Sequence, residues 1–243
     1  MGGLPEGMKG SDMTDRNLVV GLAHCRVSDS ADALATAAAA RIVMLARESL
    51  AHSGRFVLAL AGGNTPRQCY AQLRHANLDW LQVHVYFGDE RCLPWGHPDR
   101  NDVMARAAWL DHVPIPAAHI HSIPAEQGPR QASQAYAEVI RSALPLDLAV
   151  LGVGEDGHTA SLFPGDPALA SSALVVPVFH APKPPEERVT LSLGTLNGAR
   201  HKLFLASGVG KRAILERLGE HPELPAAQVR EAQWFVDRAA WPG

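Results

Sequence analysis

The chain has 243 residues, 47% of them hydrophobic, enough to bury the core of one large α/β domain or of two small ones. Its 22 Lys and Arg against 25 Asp and Glu leave a formal net charge of −3, so no global basic field points to nucleic acid or an anionic membrane surface. An anionic ligand therefore has to be caught locally.

Three cysteines, Cys25, Cys69 and Cys92, stand far apart without C-x-x-C spacing, which fits a reducing cytoplasm and neither a disulfide framework nor a zinc knuckle. No run reaches the ~20 consecutive apolar residues of a membrane span, and the N-terminus carries no charged-then-apolar leader pattern. Residues 1–13 read as a disordered segment or an extension, rich in Gly and polar residues, with Met8 and Met13 as further possible starts. A single α/β domain is expected over 14–243.

A first strand is expected near Leu18 to Leu22. The Ala-rich stretch Asp29 to Ser53 follows as a long helix, with Ala33, Ala37, Ala40, Met44 and Leu45 at helical spacing. Strand patterns recur at Phe56 to Leu60, Val83 to Phe87, His119 to Ile123, Leu148 to Leu151, Leu174 to Phe179, Val189 to Leu193 and Leu203 to Ala206. Helical patterns lie between several of them, at Pro66 to His75, Asn101 to Leu110, Arg130 to Ser142 and Val209 to Leu218. The alternation predicts a three-layer α/β fold: a mostly parallel, Rossmann-like sheet with helices on both faces. The proline-rich His180 to Arg188 is the one obvious loop break, too short for a domain linker and suited to covering a site or an edge.

Chemistry concentrates at strand ends. After Leu148 to Leu151, glycines 152, 154 and 157 let the backbone turn sharply, and Asp156 and His158 sit at the turn, beyond a carboxyl strand end where α/β sheets bind ligands. The same glycines fit a G-x-G-x-x-G template, but Pro164 ends any following helix within two turns, so a dinucleotide fold is rejected. Strand Phe56 to Leu60 runs into Gly62-Gly63-Asn64-Thr65-Pro66, where Thr65 is expected as N-cap and Pro66 as the first helical residue. Free N–H groups and the helix dipole there would suit a phosphate. Arg188, opening a strand, and Lys211, opening a helix after Ser207-Gly208, would complete a sugar-phosphate pocket, the first as a fork and the second as a point charge. Asp89-Glu90-Arg91 follows an apolar strand directly, as either a functional cluster or a surface salt-bridge group. Twelve histidines are present without H-E-x-x-H. The close pair His119 and His121 reads as two same-facing strand residues, so no metal is expected.

Five ordered blocks together resemble the 6-phosphogluconolactonase family: Gly62-Gly63-Asn64-Thr65-Pro66; Gly88-Asp89-Glu90-Arg91 with Pro94; Gly152 to Pro164; Arg188-Val-Thr190-Leu; and Ser207-Gly208 with Lys211. The resemblance spans roughly Leu18 to the tail Trp234-Phe235-Val236-Asp237. It implies a glucosamine-6-phosphate deaminase/isomerase-like fold, no metal or cofactor, and hydrolysis of 6-phosphoglucono-1,5-lactone, a small sugar-phosphate substrate. Glucosamine-6-phosphate deaminases continue toward Asn-Glu-Pro after the His and read Asp-Glu-Tyr in the second block. Here those places hold Ser161-Leu162-Phe163-Pro164 and Asp89-Glu90-Arg91, which favours the lactonase. One departure is Arg100-Asn101, where lactonases commonly carry Ser-Asn.

His158 is the expected general base, with Asp156 or Asp89 orienting its ring and loop N–H groups or Arg91 stabilising the oxyanion. Ser161 lies outside a G-x-S-x-G elbow and is not expected as a nucleophile. The competing readings are a deaminase or aldose–ketose isomerase, which needs a carboxylate to move a proton between C1 and C2, and a non-catalytic sugar-phosphate sensor, which would lack the base.

Overall fold

The computed structural model describes residues 24–243; the strand expected at Leu18 to Leu22 and the reading of residues 1–13 lie outside them. The chain opens with β1 (Cys25–Ser28) and α1 (Ala31–Ser53). Ser30 caps α1 by accepting from the Ala33 N–H, and Gly54 ends it at φ 73°, a left-handed turn that glycine adopts without strain. Ala35, Ala38 and Ala46 are buried, so the alanine run is the packed face of α1. Then come β2 (Phe56–Leu60), α2 (Asn64–Leu73), β3 (Val83–Phe87), β4 (Asp89–Arg91), α3 (Asn101–Ala108), α4 (Pro129–Arg141) and β5 (Leu148–Leu151). The remainder is β6 (Val175–Val178), β7 (Arg188–Leu191), α5 (Leu193–Asn197), β8 (His201–Ala206), α6 (Arg212–Leu218) and β9 (Gln233–Asp237).

Six strands form one sheet in the order β1-β9-β8-β5-β2-β3, every pairing parallel, with the helices around it. Strands β2 and β5 are buried at every position, as a parallel sheet covered on both faces requires. Among the described residues no helix is long and apolar enough to cross a membrane.

Several elements differ from their sequence expectation. Strands β6 and β7 do not join the parallel sheet; with β4 they make a second, antiparallel sheet in the order β4-β7-β6. Three-residue β4 carries Asp, Glu and Arg and is too short and too charged to show a strand pattern. Strand β9, which the sequence reading left as a tail, lies between β1 and β8. The segment His119 to Ile123 is a 3-10 turn (Ala117–His119) followed by a single bridge, Ile120 to Val85, because the flanking Pro116 and Pro124 cannot donate to a ladder. His119 and His121 do face one way, stacking on His84 (3.9 Å) and Tyr86 (4.3 Å) of β3. Thr65 is not a cap: α2 starts two residues earlier than expected, at Asn64 after Gly63 at φ 106°, with no side-chain cap. Pro66 is then the third helical residue, where its missing N–H is still one that no helical carbonyl would use. Lys211 closes a 3-10 turn (Val209–Lys211) that leads into α6.

Candidate active site

The loop after β5 folds back on itself. Gly154 N–H donates to His158 O (2.8 Å) and Gly157 N–H to Gly154 O (3.0 Å), with Gly157 at φ 87°. This turn brings His158 Nδ1 to 2.5 Å from Asp156 Oδ1. A Cβ on Gly154 would stand 2.0 Å from His158 Nδ1, so glycine is what admits the ring. Burial pushes the Asp156 carboxyl up, and the charge and hydrogen bonds of His158 more than reverse this, leaving it below its ordinary value. With Nδ1–H held by the carboxylate, Nε2 is the nitrogen left to accept a proton. The ring leans on Phe163, centroids 4.7 Å apart. Its two neighbours, Asp156 and Phe163, line a cavity of about 430 Å³ together with Pro164, Gly165, Asp166, His180 and Pro182.

Asp89 is 5% exposed, which rules out a surface salt-bridge group. Its Oδ2 accepts from Ser161 Oγ (2.7 Å), and its Oδ1 and backbone O accept from Asn101 Nδ2 (3.1 and 2.9 Å). Of the two carboxylates expected to orient His158, Asp156 reaches the ring; Asp89 is instead committed to Ser161 and Asn101. Asn101 also shapes the glycine turn: a Cβ on Gly62 would lie 1.9 Å from Asn101 Oδ1. Gly63 and Asn64 are exposed, so the uncapped first turn of α2 is open to a guest.

Arg91 and Arg188 are cross-strand partners in β4 and β7, so both guanidinium groups leave the same face of the small sheet. Arg188 is buried; Nε donates to Pro185 O (3.0 Å) and Nη2 to Lys183 O (2.9 Å), while the guanidinium lies over Phe163 (5.6 Å). Burial pushes its pKa down, Asp89 raises it and Arg91 lowers it further. Arg91 Nη1 donates to Asp99 O (2.5 Å), and its Nε is buried without a partner among the described residues. Lys211 is pushed below its ordinary value by burial, with Glu155 and Asp156 opposing and Lys183 adding to the shift. The expected residues are thus linked around one region: the Gly62 turn to Asn101, Asn101 to Asp89, Asp89 to the His158 loop through Ser161, and Arg188 to His158 through Phe163. Lys211 approaches from the Asp156 side.

Sequence reading missed Asn101, Ser161 and Thr190, whose Oγ1 accepts from Ser161 N–H (3.3 Å), as parts of this framework. Their partners lie 12, 72 and 29 residues away, beyond any local pattern. Among the described residues no group of three or more His, Cys, Asp or Glu is placed to hold a metal ion.

The family model described as glucosamine-6-phosphate isomerases/6-phosphogluconolactonase matches residues 29–241. The chain belongs to this family. Within it, the chain is 37% identical to a 6-phosphogluconolactonase of Synechocystis sp. over 79% of this chain and 86% of that protein. It is 38% identical to a 6-phosphogluconolactonase of Homo sapiens, over 76% and 80% respectively. Among solved structures, a 6-phosphogluconolactonase from Thermotoga maritima superposes with a TM-score of 0.83 at 28% identity, covering 88% of this chain and 99% of that one. A monomeric glucosamine-6-phosphate deaminase shares the fold with a TM-score of 0.78 at 21% identity, covering 89% and 98%.

Proposed function

We propose that this enzyme hydrolyses 6-phospho-D-glucono-1,5-lactone to 6-phosphogluconate, the lactonase step of the oxidative pentose phosphate pathway, with His158 as general base. The relatives at 37–38% identity support the reaction, and the contact of Asp156 Oδ1 with His158 Nδ1 beside an open cavity supports the role of the ring. His158 Nε2 takes a proton from the water that attacks C1. The tetrahedral oxyanion then collapses, the C1–ring oxygen bond breaks, and the imidazolium returns its proton to that oxygen, giving the open-chain acid and its C5 hydroxyl. Asp156 holds the ring in the required tautomer and stabilises its charged form.

The phosphate falls to the Gly62-Gly63-Asn64-Thr65 turn, Arg188 and Lys211. The cross-strand pairing of Arg91 with Arg188 favours the phosphate over the oxyanion as the partner of Arg91, since two like charges on one face are relieved by an anion between them. The oxyanion is then left to loop N–H groups. A deaminase or isomerase reading needs a free carboxylate, and both oxygens of Asp89 already accept hydrogen bonds. A sensor would not need the His158–Asp156 pair.

We read residues 14–243 as one catalytic unit with a small-molecule substrate and neither nucleic acid nor membrane as partner. The free thiols of Cys25, Cys69 and Cys92 accord with a cytoplasmic location. The deciding experiment is an assay with freshly generated 6-phosphogluconolactone coupled to 6-phosphogluconate dehydrogenase, run beside unphosphorylated gluconolactone followed by titration of the acid released. Turnover with a lower KM for the phosphorylated lactone is expected; ammonia release from glucosamine 6-phosphate with no lactonase activity would overturn the reading.

A further inference from the structure

Glu90, on β4, is fully buried and serves a helix whose own preceding residue does not cap it. The residue before α3, Arg100, makes no side-chain cap. Glu90, on β4, supplies it instead: Oε1 accepts from Asn101 N–H (2.7 Å) and from Arg91 N–H (2.9 Å), and Oε2 accepts from Asp102 N–H (2.9 Å). One carboxylate therefore fixes the backbone of Arg91 and of Asn101, the two residues that face the anion side of the site.

Arg100, where the family commonly carries Ser, is 1% exposed and stands behind this carboxylate. Its Nε and Nη2 grip Asp102 (2.9 and 3.0 Å), Nη2 also donates to Ile123 O (2.9 Å), Nη1 reaches Glu126 Oε2 (3.3 Å), and Nε comes within 4.0 Å of Glu90 Oε2. A buried carboxylate with a second one beside it is stable only with such a counter-charge.

We propose that Glu90 is a positioning residue that sets how Arg91 and Asn101 present themselves to the substrate phosphate, and that Arg100, paired to Asp102 and within 4.0 Å of Glu90, is the counter-charge that favours its ionised form. The proposal rests on the lactonase reading. The groups facing Glu90 are Arg91 and Cys92 of its own strand region, Arg100 and Asp102 at α3, and Tyr136 of α4, with Glu126 on the far side of Arg100. Burial, with Asp102 adding to it and the three N–H bonds opposing, pushes the Glu90 carboxyl up to about 7. Ionised, its two oxygens accept three charge-assisted N–H bonds; protonated, it loses the charge that strengthens the bonds from Arg91 and Asn101 to Oε1, and a proton on Oε2 competes with Asp102 N–H. Affinity for the phosphorylated lactone therefore falls as pH falls through about 7.

The test compares wild type, Glu90→Gln and Arg100→Met across pH, with the phosphorylated lactone in the coupled assay, gluconolactone by titration of the acid released, and thermal unfolding alongside. For Glu90→Gln, KM for the phosphorylated lactone should rise about tenfold, the loss of one charge-assisted contact, while KM for gluconolactone stays put. The acid limb of its kcat/KM should lose one ionisation, the one due to His158 remaining. Arg100→Met should move the acid limb up by about one pH unit; should it not fold, Arg100→Lys, which keeps the charge without the fork, should move it the same way by less. A Glu90→Gln enzyme with lowered melting temperature but wild-type KM and acid limb would overturn the proposal and leave Glu90 a helix cap. So would Arg100 variants with unmoved limbs. Wild-type turnover in the same runs checks the lactonase reading separately.

Discussion

The two walls of the cleft are built on opposite plans. The His158 wall is local: acid, base and the glycine that makes room for them lie within five residues, and one folded turn assembles them. The anion wall is distributed. Its order depends on Asp89 meeting Asn101, Ser161 and, across the small sheet, Thr190, and on Asn101 closing against the Gly62 turn, contacts that bridge up to roughly a hundred residues of chain. On the proposed mechanism the local wall performs the chemistry and the distributed wall holds the substrate, so damage to each should register in a different kinetic constant.

The largest expected effect is His158→Ala, which removes the base and leaves the anion wall intact. Turnover should fall by about 10²–10⁴-fold with KM little changed. A variant keeping half of wild-type kcat would break the division.

Two glycine substitutions sharpen the comparison, because each pushes a methyl group into one wall. Gly154→Ala sets its Cβ 2.0 Å from His158 Nδ1 and should lower kcat roughly a hundredfold by displacing the ring. Gly62→Ala sets its Cβ 1.9 Å from Asn101 Oδ1 and should act chiefly on KM. Steady-state kinetics on both, with circular dichroism to confirm folding, would erase the distinction if the two variants failed in the same constant.

Arg188→Ala and Lys211→Ala come next. Each removes a charge-assisted contact, and KM for the phosphorylated lactone should rise about tenfold or more, toward that for gluconolactone. Arg188→Ala should also lower the melting temperature, since its guanidinium ties Lys183 O and Pro185 O to β7, whereas Lys211→Ala should not. Equal melting losses would contradict that difference. The smallest effect is none at all: neither wall as proposed uses a metal, so EDTA should leave turnover unchanged, and activity lost to chelation and restored by one divalent ion would reopen the reading.

What the sequence disclosed follows the same local and distributed division. The parallel strands were legible because burial on both faces gives continuous apolar runs, and the Asp156–His158 pair because its partners are adjacent in sequence. Strand β4 was illegible as a strand, since Asp89 and Glu90 are polar residues buried by contacts made elsewhere in the chain. The cap of α2 was placed two residues late because the Pro-at-first-position rule ignores the positive φ that Gly63 supplies. Arg100 stood out as a departure from the family, but its meaning depended on Asp102, Glu126 and Ile123 closing around it.

The small antiparallel sheet also bears on how the enzyme comes into being. Asp89 pairs with Thr190 and Arg91 with Arg188 across roughly a hundred residues of intervening chain, and contacts of such span form slowly because the loop must close before anything rewards it. The Asp156–His158 turn needs no such closure. On the proposed mechanism a nascent or refolding chain would hold its base in place before it could hold its substrate, and competence would wait on the last long-range pairing to form.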